Sequence, residues 1–162
     1  MGELGDRIGA LTGGRRTMVV GVGNRLRGDD AVGSLLAERL RGRLVARVVD
    51  AETVPENYLH VLCEAAPEVV LFVDAAAHGG RPGAWCLAPP DELASRSSST
   101  HAMSLLLLAQ ALEAHGIVCR LIGIQPGRTG LGAPLTPAVA EGAAVVEDAL
   151  RQALGAEEML DV

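Results

Sequence analysis

The chain alternates short apolar runs with stretches of helical spacing, and the alternation repeats from residue 17 to residue 154. Residues 17–22 (TMVVGV) make a compact apolar run that ends in a glycine-spaced turn, which predicts a buried strand. In residues 31–40, Val32, Leu35, Leu36 and Leu40 recur at helical spacing. Residues 43–50 (RLVARVVD) predict a second strand, and Pro55, at a favoured first-turn position, opens a helix reaching about residue 66. Residues 68–74 (EVVLFVD) hold five consecutive apolar positions, rich in β-branched side chains and bounded by Pro67 and Asp74. Their lack of alternation predicts a strand covered on both faces. A turn, HGGRPG (78–83), separates it from a short strand at 84–88. The polar run SRSSST (95–100) precedes a helix over 101–114, where SLLLLAQAL is almost wholly apolar and therefore central. A strand over 116–126, a glycine-rich loop to Pro134 and a helix over 137–154 complete the series. Thr136 is expected to cap that last helix, and Gly155 stands where a helix stops.

Strands alternating with helices predict an α/β fold: a single doubly wound, mostly parallel sheet of about five strands with helices on both faces. Residues 17–162 are expected to form this one domain, and residues 1–16 a loose N-terminal tail. In such sheets ligands bind beyond the carboxyl ends of the strands. Asp29 and Asp30 follow the first strand, Asp50 ends the second and Asp74 ends the third, so all should lie along one edge.

Charge and composition narrow the chemistry. A net charge of −6 argues against a nucleic-acid backbone or an anionic membrane as partner. All 14 basic residues are arginine, which excludes a phosphate-loop lysine, a Schiff base and a Ser–Lys dyad. Cys63, Cys86 and Cys119 are far apart in apolar stretches and read as inert thiols, which fits a reducing, cytoplasmic compartment. No apolar run approaches the roughly 20 residues of a membrane span, and the acid-bearing N-terminus does not read as a signal peptide.

The paired acids of GVGNRLRGDDAVG (21–33) admit three readings. Gly21 and Gly23 open like a dinucleotide fingerprint, with Asp50 as the ribose-binding acid. Yet the third glycine position is Leu26, and Asp50 lies 29 residues past Gly21 rather than about 20. Two carboxylates at the helix start would also repel a pyrophosphate. A second reading makes the acids helix caps stabilised by the macrodipole, which suits Asp29 but leaves Asp74 unexplained. The third is a metal or acid-catalysed site. His101 begins an apolar helix, with Ser99 or Thr100 as N-cap, and the helix dipole is expected to keep its imidazole neutral. Two carboxylates and a neutral imidazole suit a borderline divalent ion such as nickel or zinc. His60 and His115 read as helix-surface residues, whereas His78, close after Asp74, competes with His101 for the role.

Five segments, GVGNRLRGDDAVG, VPENYL, VLFVDAA, STHAMSL and IGIQPGRTGLGAPLTPAV, occur in this order from about residue 18 to residue 154. Together they resemble the hydrogenase maturation endopeptidases, and PEN and GIQP are most similar to the branch acting on hydrogenase-3-type enzymes. The resemblance implies an endopeptidase with an aspartic or metallo-type site that removes the C-terminal extension of a NiFe-hydrogenase large-subunit precursor. It implies Asp30, Asp74 and His101 as both metal ligands and catalytic residues. Asp30 is one methylene shorter than the glutamate in much of the family and matches the hydrogenase-3 branch. The nickel would be supplied by the precursor, either to activate the peptide bond or to orient it for a carboxylate base. Other implied roles are a turn shaped by Gly23 and Asn24 and a cleft lip formed by the loop 126–134 with Arg128. A non-enzymatic nickel carrier or a nucleotide-binding module is the contrasting reading.

Overall fold

A computed structural model describes residues 2–94 and 100–155. Its five strands join one sheet: β1 (Thr17–Gly21), β2 (Arg47–Asp50), β3 (Val69–Ala75), β4 (Trp85–Ala88) and β5 (Val118–Ile124), in the order β2-β1-β3-β5-β4. The first four strands in that order run parallel, and β4 pairs antiparallel with β5 at the edge. The helices are α1 (Glu3–Thr12), α2 (Val32–Leu40), α3 (Leu59–Ala65), α4 (Pro90–Ala94), α5 (Thr100–Ala114) and α6 (Pro137–Leu154).

Every residue of β3 is buried, as expected for a central strand covered on both faces. Its side chains divide by the two-residue period of a strand. Val69, Leu71 and Val73 join the core under α1, α2 and α6, while Val70 and Phe72 join the core under α3, α4 and α5. The same parity assigns Asp74 to the α5 face. That alternation decides which helix Asp74 meets.

Three expectations need correction. Residues 3–12, expected within a loose tail, form α1, whose Leu4 and Ile8 are buried in the core on the α2–α6 side of the sheet. The expected helix at 55–66 divides into a 3-10 turn, Pro55–Tyr58, and the short α3. The strand expected at 43–50 is confined to Arg47–Asp50, and the short α4 was not foreseen. Among the described residues no helix is long and apolar enough to cross a membrane.

Candidate metal-type site at the carboxyl edge of the sheet

The chain leaves β1 through a turn stitched by its own polar groups. The Leu26 amide donates to Asn24 Oδ1 (2.9 Å), and the Asn24 amide donates to the Asp30 carbonyl (3.0 Å). Gly28 has φ +54°, and a Cβ there would run into the Arg128 carbonyl, so glycine is required. The 3-10 turn Gly28–Ala31 then sets Asp30 at the start of α2. At Gly33 a Cβ would collide with the Val22 and Val73 carbonyls, which lets α2 lie directly on the sheet. The glycines near β1 thus serve internal packing rather than a phosphate cradle.

Three sequence-predicted residues converge here. His101 Nε2 lies 2.9 Å from Asp30 Oδ2, and His101 Nδ1 lies 3.4 Å from Asp74 Oδ2. Asp74 and His101 are buried, and Asp30 keeps 14% of its side chain exposed. Their ligand atoms all lie within 4.8 Å of one another, the one such cluster of metal-capable side chains among the described residues.

The electrostatics correct the expectation for His101. Hydrogen bonding to Asp30, then to Asp74, raises its pKa to about 10, outweighing burial, so the metal-free imidazole is charged at neutral pH. A helix N-terminus acts with only about half a unit charge, and two adjacent carboxylates overwhelm it. Burial pushes the Asp74 carboxyl up to about 6, against the lowering effect of His101. Asp74 Oδ1 is buried with no hydrogen-bond partner among the described residues. An orphaned carboxylate oxygen beside a second carboxylate and an imidazole is a donor set fitted to a divalent cation.

The other candidates go elsewhere. Asp50 pairs with Arg25 at 2.8 Å, and Arg25 also holds Glu38 at 2.7 Å. His78 Nε2 bonds the Ala84 carbonyl (2.9 Å) and stands outside the trio. His60 and His115 are exposed, as expected. Cys119 is buried, and burial raises its thiol to about 12, but Cys63 and Cys86 are only partly buried. Ser99 lies outside the described residues, as does the side chain of Thr100.

Asp29 does more than the expected cap. Its buried carboxylate accepts the amides of Gly127 (2.8 Å), Arg128 (2.8 Å) and Thr136 (2.7 Å), and the Thr136 hydroxyl (2.9 Å to Oδ2). Its own amide donates to the Arg128 carbonyl (2.9 Å). Thr136 therefore gives its hydroxyl to Asp29 and makes no side-chain cap on α6. Burial raises the Asp29 pKa, but the amides of Thr136, Arg128 and Gly127 outweigh it and hold the carboxyl below its usual value. The loop after β5 is thereby fastened to the turn that carries Asp30. Only the adjacency of two acids hinted at this; the partners of Asp29 lie about a hundred residues away.

The chain is thus a doubly wound α/β protein with a cluster of two carboxylates and an imidazole at the carboxyl edge of its sheet. The chain belongs to the hydrogenase maturation protease family, whose sequence model matches residues 31–156, beginning one residue after Asp30 and including Asp74 and His101. It is 38% identical to the hydrogenase 3 maturation protease of Escherichia coli over 121 residues, 71% of this chain and 76% of that protein. Its fold is similar to the crystal structure of a NiFe-hydrogenase maturation protease, HycI, from Thermococcus kodakarensis (TM-score 0.82, 32% identity, covering 91% of this chain and 98% of that one). It is also similar to the hydrogenase maturating endopeptidase HybD from Escherichia coli (TM-score 0.70, 26% identity, covering 88% and 95%).

Proposed function

We propose that this endopeptidase removes the C-terminal extension of a NiFe-hydrogenase large-subunit precursor by engaging, through Asp30, Asp74 and His101, a nickel ion that the precursor carries. The observation that carries the reading is the convergence of the three side chains within 4.8 Å at the carboxyl edge of the sheet. The family and the relationship to the hydrogenase 3 maturation protease of Escherichia coli support the substrate class, with a hydrogenase-3-type enzyme as the favoured target.

Asp74 is the fixed anchor of the site: it is buried, held at the end of the central strand, and has an oxygen to spare. Asp30 is the carboxylate that faces solvent and so meets the incoming chain. His101 holds a proton between the two, and a divalent ion entering the trio takes the place of that proton. Anchoring the precursor's ion in this way fixes the adjacent peptide bond, which lowers the entropic part of the barrier. Asp30, at the open side of the trio, is placed to act as general base toward water. Direct attack by water requires no serine or cysteine nucleophile.

The test is cleavage of nickel-loaded precursor by folded variants. Asp74→Asn and His101→Ala should lose activity by at least about a hundredfold while keeping the native circular dichroism spectrum. Wild-type rates in Asp30→Asn, Asp74→Asn and His101→Ala alike would remove this site from the reaction.

A further inference from the structure

A single exposed leucine needs no explanation, but Leu26 and Leu131 are exposed together on loops that cannot easily withdraw them. They are 68% and 71% exposed. Leu26 belongs to the turn closed by the Asn24 amide on the Asp30 carbonyl, so it is built on the same backbone as the site. Leu131 belongs to the loop between β5 and α6. The amide that follows it, from Gly132, donates to the Leu26 carbonyl at 2.8 Å, which brings the two positions side by side. Asp29 locks the same pair of loops through the Gly127, Arg128 and Thr136 amides. Both loops follow strands that end at the edge holding the trio. Two exposed leucines thus stand on neighbouring loops that are joined to the turn carrying Asp30.

We propose that Leu26 and Leu131 form a docking ledge for an apolar side chain of the hydrogenase precursor, in the segment next to the bond that is cut. The proposal rests on the reading that the precursor is cut at the Asp30, Asp74 and His101 trio. A chain bringing its scissile bond to Asp30 and continuing toward the β5–α6 loop crosses these two leucines. Their hydrophobic surface then leaves water only when the precursor is bound, so the ledge contributes to binding equally in ground and transition states. The Asp29 lock is a positioning device: it presents the ledge without loop ordering at the moment of association, a cost that otherwise weakens binding.

The experiment measures initial cleavage rates against the concentration of nickel-loaded precursor for Leu26→Ser, Leu131→Ser and the double variant. Each single change should raise KM about tenfold with kcat unchanged, as expected for loss of one leucine's burial in uniform binding. Leu26→Met and Leu131→Met, which restore apolar volume, should return KM to within about threefold of wild type. A wild-type KM in both serine variants overturns the ledge. So does a wild-type dimer in sedimentation that the serine changes dissolve without altering KM, since the leucines would then serve a second copy of this chain. Asp74→Asn, run in parallel, separates the two failures. If it cuts at the wild-type rate, the site reading is wrong; if it is inactive while the serine variants keep KM, only the ledge is wrong.

Discussion

Replacing Asp29 by asparagine removes a charge and one acceptor while preserving shape, so the structure allows its effect to be worked out bond by bond. Oδ2 receives the Gly127 and Arg128 amides at 2.8 Å each, and Oδ1 receives the Thr136 amide at 2.7 Å. An asparagine has one carbonyl oxygen. If it takes the Oδ2 place, the Gly127 and Arg128 bonds survive in weaker, uncharged form, and the new NH2 group faces the Thr136 amide donor to donor. The opposite orientation loses two amide bonds instead of one, so the first is preferred. A lost bond to a charged acceptor costs about 1.5–3 kcal/mol, and the weakening of the other two adds to it. The expected destabilisation is about 2–4 kcal/mol, which lowers Tm by roughly 5–15 °C in a domain of this size. Urea unfolding followed by circular dichroism measures it, and the m-value should stay constant. Acid dependence supplies a second readout. Because Asp29 has a lowered folded pKa, its stabilisation is complete above the unfolded value near 3.8 and is lost as pH falls through the folded value. The variant should therefore lose less stability than wild type on acidification. A change below about 0.5 kcal/mol, within the range of ordinary surface substitutions, would refute the lock.

Three other predictions concern α1 and the trio. Ile8→Ala, in the segment expected to be a loose tail, should destabilise by about 2–4 kcal/mol in the same unfolding assay, since Ile8 is fully buried. A neutral result would return that segment to the surface. The raised His101 pKa gives metal-free protein a stabilisation that is complete below 6.5 and lost as pH rises toward 10. The slope of unfolding midpoint against pH in that window should flatten in His101→Gln. Adding a divalent ion there should release a proton, detectable by calorimetry in buffers of different ionisation heat.

Much of this site was legible because the fold class fixes where strand ends meet. Asp74 follows five apolar residues, and its place at the carboxyl edge comes directly from parallel-sheet geometry. His101, at the start of an apolar helix, was legible for the same reason. Other features were hidden by long-range chemistry. The charge on His101 depends on two carboxylates 71 and 27 residues away, so reasoning from the helix dipole alone reached the opposite protonation state. Thr136 read as a helix cap because its local sequence suits one, but Asp29 takes its hydroxyl. The apolar spacing of Leu4, Ile8 and Leu11 signals α1, while Gly5 and Gly9 weaken the local helix preference, and packing against α6 decides the outcome.

In the proposed reaction the trio meets a metal carried by the substrate. The most direct test compares cleavage of the same hydrogenase precursor prepared with and without nickel, with C-terminal shortening read by mass spectrometry. Shortening of the nickel-loaded precursor alone is expected, abolished by Asp74→Asn and by His101→Ala. Equal cleavage of the nickel-free precursor, or undiminished cleavage by either variant, would contradict it.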